Sequence, residues 1–185
     1  MKSLFLFISI AALLVGCANT PEDRKWKSFD KAQFSFARKV KKERNLFLES
    51  YGLTQIDGKV EVLELSFNSK KQFSLEELPE ARKLLFDLSF EFLDEINANE
   101  ELRPHLIQYP FTLQNVQISA GSDVSRENKD KYLVYFGIYK NVVSYSLESE
   151  KDVGPFRKYY IEKINEALTK LNIDHDGKPL PLEAK

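Results

Sequence analysis

One segment limits the possible folds more than any other. Leu78, Ala81, Leu85, Leu88, Phe92 and Ile96 recur at helical spacing, and Phe86, Phe90 and Leu93 widen that stripe around the axis. Only Glu76, Glu80, Lys83, Asp87, Glu91 and Asp94 form a polar arc. A helix this apolar lies at the centre of a core or in an interface, because only a narrow side is left for water. Two start signals compete. Ser74-Leu75-Glu76-Glu77 reads as a capping box with Phe73 and Leu78 as a hydrophobic staple, while Leu78-Pro79 reads as a first helical turn.

The flanking patterns define the rest. Phe29, Phe36, Val40, Phe47 and Tyr51 predict a first helix from about Ser28 to Tyr51, ended by Gly52. From Leu53 to Asn68 the pattern is strand-like, with a turn at Asp57-Gly58 and one slip of alternation between Val62 and Leu63 that reads as a bulge. Asn97 to Pro110 is irregular, Phe111 to Ser119 reads as a strand, and Ala120 to Asp130 reads as a polar loop. Lys131–Tyr139 and Val142–Leu147 are the clearest strands, joined at Lys140-Asn141. Gly154-Pro155 opens a predicted third helix carrying Tyr160, Ile161, Ile164, Ala167, Leu168 and Leu171. There is no regular βαβ alternation. The prediction is therefore an α+β fold, an antiparallel sheet of four to five strands with three helices packed mainly on one face.

The N-terminus speaks to location. After Met1-Lys2 comes an apolar run from Leu4 to Val15 broken only by Ser9, 12 residues in all. That is too short to cross a hydrocarbon core of roughly 30 Å and has the proportions of a signal-peptide core. Leu14-Val15-Gly16-Cys17 follows, and it resembles the lipobox of bacterial lipoproteins. The resemblance implies a diacylglyceryl group on the Cys17 sulfur, cleavage before it, and a fatty acyl chain such as palmitate on the new amine. In that family an Asp after the cysteine favours the inner membrane, so Ala18 points to the outer membrane, with the domain in the periplasm or at the cell surface. The expected partners are the bilayer, through Cys17, and another envelope protein. The division that follows is a signal peptide over 1–16, a lipidated cysteine and tether over 17–27, one α+β domain over 28–173 and a flexible tail over 174–185. Trp26, within the tether, is expected to touch the domain's core rather than lipid.

Composition narrows the function classes. The chain has 185 residues, with 27 basic and 28 acidic side chains, so no global positive field draws nucleic acid. Removing the first 16 residues leaves 169, with 26 basic and 28 acidic side chains and a formal charge of −2. One Cys and two His rule out a disulfide framework and a zinc site made of several Cys and His. P-loop, dinucleotide, nucleophile-elbow and HExxH motifs are missing. No catalytic residue, metal site or cofactor is assigned.

Three surfaces remain as candidates. The cations Arg38, Lys39, Lys41 and Lys42 read most simply as a solvated helix face, and functionally as a contact for anionic lipid headgroups. Tyr135 and Tyr139, with Leu133 and Gly137, fall on one face of a strand, and Tyr145 on the partner strand is expected to join them as a ligand or partner surface. Asp87, Glu91 and Asp94 share a helix face at spacings of four and three; usually that is a solvated arc, and its catalytic reading is a carboxylate pair. His105 has no ligand-spaced neighbour, and Asp174-His175-Asp176-Gly177 fails the calcium-loop template and reads as a tail turn. The leading expectation is a lipid-anchored, non-catalytic binding or assembly domain. A lipid-tethered hydrolase using carboxylates is the first alternative. The second is a carrier of a small apolar ligand, with a cavity lined by Phe86, Phe90 and Phe136.

Overall fold

The computed structural model describes residues 21–122, 131–147 and 158–180. Helix α1 spans Pro21–Arg44, strands β1 and β2 span Leu46–Ile56 and Lys59–Ser69, and the short β3 is Phe73–Ser74. Helix α2 follows at Leu78–Ala98, then two 3₁₀ turns at Arg103–His105 and Leu113–Asn115. The chain continues through β4 (Val116–Ser122), β5 (Tyr132–Tyr139), β6 (Val142–Leu147), β7 (Lys158–Lys163) and α3 (Ile164–Leu171).

The seven strands form one mixed sheet in the order β1-β2-β4-β5-β6-β7, with β3 pairing β5. The α+β class and three helices are as expected, but the four-to-five-stranded antiparallel sheet is not what forms. Strands β2 and β4 run parallel, Leu63 opposite Val116 through Ser69 opposite Ser122. The cause is α2. A parallel pair needs a long crossover, and the apolar helix between these strands supplies it.

Local chemistry explains where the elements start and stop. Asn45 takes a left-handed φ of 55° and its N–H bonds back to the Lys41 carbonyl, which ends α1 at Arg44. The helical stripe thus holds through Phe29, Phe36 and Val40, whereas Phe47 and Tyr51 sit in β1. The β1–β2 hairpin turns at Asp57 and Gly58, both at positive φ (48° and 74°), as a tight two-residue hairpin requires. A bulge does form in β2, but not between Val62 and Leu63, which pair in regular register. The jump is from Thr54–Val62 to Gln55–Val60, leaving Glu61 as the extra residue, and a second shift lies between Leu48 and Ser50 of β1.

Of the two start signals for α2, the proline one prevails. The helix begins at Leu78 with Pro79 in its first turn and no side-chain cap, although the Glu77 carboxylate still accepts the Ser74 N–H. Tyr160 and Ile161 belong to β7, so the third helix begins later than predicted, at Ile164. Gly154-Pro155 lies outside the described residues. The predicted tail is tied down through residue 180: Ile173 bridges to Pro179, the Leu180 N–H bonds to the Asn172 carbonyl, and Gly177 rests on the Phe90 ring.

Core residues alternate along the strands. Leu63, Leu65 and Phe67 of β2, Ile118 and Ala120 of β4, Phe136 and Ile138 of β5, and Val143, Tyr145 and Leu147 of β6 are buried beneath the helices. Phe36 of α1 makes ring contacts with Phe67 of the sheet (6.4 Å) and Phe92 of α2 (5.0 Å), which joins both layers at one point. Trp26 is half-buried against this core, 6.3 Å from the Phe29 ring, in keeping with the expected core contact. Phe36→Ala is expected to cost about 3–5 kcal/mol, read as a fall in melting temperature of about 10 °C or more by circular dichroism.

Candidate binding surface

Most large apolar side chains of the strands take the helix face, and the intervening residues form a second face of mixed chemistry, on which Ile161 is 66% exposed opposite Ser144. Ser50, Glu64, Ser66, Gln117, Ser119, Tyr135 and Tyr139 line a shallow groove of about 280 Å³ there. Gly137 makes it possible. A Cβ at this position would lie 2.8 Å from the Ser119 Cβ and 2.9 Å from the Tyr135 hydroxyl, so the Tyr135 side chain lies over bare backbone. Ser146 Oγ donates to the Tyr135 carbonyl at 3.1 Å, and Ser144 Oγ to the Gly137 carbonyl at 3.4 Å. Half of Tyr139 is exposed (51%). The lining thus combines hydroxyl, amide and carboxylate groups with the phenol rings of Tyr51, Tyr135 and Tyr139 and with Leu65 and Ile138, an arrangement able to hydrogen-bond and to stack.

The structure separates the three tyrosines expected to act together. Tyr145 stands opposite Phe136, on the helix side, and is 1% exposed. A bulge at Val134 shifts the β5–β6 register between Leu133 and Tyr135, so Leu133 also leaves the open face and is buried. The signal for Tyr145 was present in its own strand: Val143, Tyr145 and Leu147 alternate with Ser144 and Ser146.

Tyr145 instead joins a buried ionic cluster that sequence reading missed, since its members are up to 88 residues apart (Arg82 to Lys170). Arg82 of α2 donates from Nε to Glu162 Oε1 at 2.6 Å and from Nη2 to Oε2 at 3.2 Å. Tyr145 donates its hydroxyl to Oε1 at 2.7 Å, and Lys170 of α3 donates to Oε2 at 2.5 Å. Burial alone would raise the Glu162 pKa, but the bonds from Arg82, Lys170 and Tyr145 outweigh it and hold the carboxyl below its usual range. Burial, then the bond to Glu162, drives the Tyr145 phenol well above its usual value. The cluster ties α2, β6, β7 and α3 together, and none of its four residues lines the groove.

The charged candidates meet one another. Lys39 approaches Glu91 (3.7 Å) and Glu95 (3.3 Å), while Arg44 bonds to Glu91 and lies 3.6 Å from Asp87. Asp87 also pairs with Lys83 at 2.7 Å. The basic run of α1 and the acidic arc of α2 are thus two sides of one helix–helix seam. Arg38, Lys41 and Lys42 remain exposed on α1, with Lys41 5.1 Å from the Phe47 ring.

Asp94 lies apart from that seam. It lines a cleft of about 590 Å³ with Phe90, Asn97, Thr112, His175 and Lys178. Phe86 and Phe136, named with Phe90 for a carrier cavity, are fully buried in the core. His105 is half-buried in its 3₁₀ turn, its pKa held low by burial and then by Lys25. The Asp174 carboxylate accepts the N–H groups of Asp176 and Lys178, as the tail-turn reading expected. Among the described residues no group of three or more His, Cys, Asp or Glu is placed to hold a metal, and no helix is long and apolar enough to cross a membrane. No family model matches the chain, and no curated protein or solved structure matches it.

Glu162→Gln leaves Arg82 and Lys170 without their buried counter-ion and is expected to cost about 3 kcal/mol at pH 7. The wild-type carboxyl titrates lower when folded than its unfolded value near 4.5, so its contribution is complete above pH 4.5 and is lost as pH falls through the folded pKa. Urea melts across pH 3–7 are therefore expected to show the wild-type advantage shrinking toward the acid end.

Proposed function

We propose that this chain is a bacterial envelope lipoprotein, held on a bilayer by acylated Cys17, whose folded domain acts by binding or assembly rather than catalysis. Processing at Cys17 and the outer-membrane placement suggested by Ala18 rest on the resemblance of the signal sequence. Several acyl chains on one cysteine hold a protein without help from its polypeptide, since each buried CH₂ contributes about 0.8 kcal/mol and one chain alone is marginal.

The observation that supports a binding role is the sheet face opposite the helices, uncovered among the described residues, with Tyr135 and Tyr139 beside Ser66, Gln117 and Ser119. An envelope protein is the partner class we assign to it. Tyrosine offers contact area and a hydrogen-bonding tip at little entropic cost, and small hydroxyl side chains let a partner's backbone approach closely. The carboxylate hydrolase is the weaker reading, because Arg44, Lys39 and Lys83 engage two of its three acids.

Site-specific crosslinking in intact cells checks this. A photoreactive residue at Tyr139 is expected to capture a discrete envelope partner, whereas one at exposed Lys42 on the helix side is not. Equal capture at both positions, or none at Tyr139, would contradict the assignment.

A further inference from the structure

The pole of the domain at which α1 begins is not a neutral end. Lys25 of α1 bonds to the Gly58 carbonyl at the tip of the β1–β2 hairpin, and the Ile107 N–H bonds to the Val60 carbonyl at 2.8 Å. The hairpin tip, the start of α1 and the 103–109 segment therefore share one end. Three large apolar side chains are exposed on these segments: Ile56 (44%), Ile107 (39%) and Tyr109 (44%). Arg103 stacks over the Tyr109 ring, 3.9 Å from its centroid. An aromatic ring with a cation at its face, at the same end of the domain as two exposed isoleucines, is the chemistry of a membrane–water interface.

We propose that this pole docks on the bilayer surface, with Ile56, Ile107 and Tyr109 entering the headgroup region. The inference rests on the lipoprotein reading of Cys17 and adds the orientation of the domain. Chain length selects lipid as the occupant. Pro21 is four residues beyond Cys17, and four extended residues reach at most about 14 Å. The start of α1 is thereby confined next to the headgroups, leaving too little room for a folded partner beneath it. The segments at this end carry both signs of charge, Lys25, Lys59 and Arg103 with Glu22, Asp23 and Asp57. Apolar entry rather than attraction to anionic lipid carries the docking, so it occurs on zwitterionic bilayers.

Trp26 is the only tryptophan in the chain and sits in α1 at this pole. It reports the docking in the native, acylated protein reconstituted into phosphatidylcholine vesicles brominated along their acyl chains. For a pole seated about 5–10 Å into the boundary, Trp26 emission is expected to fall about twofold against unbrominated vesicles. The variant Ile56→Asp/Ile107→Asp keeps the tether and is expected to lose most of that quenching; its unchanged melting temperature shows that it folds. If both proteins float with the vesicles but are quenched equally, or neither is quenched, the docking is overturned while the anchor stands. If wild type fails to float, the anchor reading falls and the docking with it. Should the double variant not fold, Tyr109→Ser with the same readout decides the matter.

Discussion

The sheet has one apolar face, and that face must be covered. Leu63, Leu65, Phe67, Ile118, Phe136 and Val143 all lie on it, and leaving such side chains in water costs about 1.5–3 kcal/mol each. The cover comes chiefly from α2, a 21-residue helix with nine buried residues, inserted between β2 and β4. Its passage across the sheet makes that pair parallel, brings Phe92 to Phe36, and carries Arg82 over the distant strands β6 and β7. Position in the sequence and position in space are thus linked through one crossover.

The arrival of Arg82 has its own consequence. An unpaired guanidinium in that place would be strongly destabilising, so Glu162 serves as its counter-ion and Tyr145 and Lys170 complete the carboxylate's bonding. The cluster adds specificity as well as connection. It is satisfied only when α2, β6, β7 and α3 are in their proper register, and a slip of one residue in β7 would turn Glu162 toward the opposite face. On that opposite face Ser50, Ser66, Gln117 and Ser119 line a groove together with Tyr51, Tyr135 and Tyr139, and Ile161 stands exposed opposite Ser144.

Much of this was legible in the sequence, and the failures have physical causes. The 3.6-residue stripe of α2 and the period-two pattern of β5 and β6 identify those elements, because each buries one face. The end of α1 was misplaced because Phe47 and Tyr51 happen to continue a helical spacing, and the Asn45 cap carries little signal of its own. The short α3 was overextended for the same reason, since Tyr160 and Ile161 fit either period. The parallel pairing and the Arg82–Glu162 bond depend on topology, which no local pattern encodes. For the binding surface, Tyr135 and Tyr139 were readable from alternation, whereas Leu133 was lost to a bulge and Tyr145 to the pairing register.

The functional account depends on a tether that brings this domain to a membrane, and the intact mass of the mature chain tests it most directly. The account predicts a polypeptide beginning at Cys17 and heavier than its residues by a diacylglyceryl group and one acyl chain, with Cys17→Ser losing the lipid. A chain that retains Met1, or that begins elsewhere with an unmodified Cys17 thiol, would contradict it.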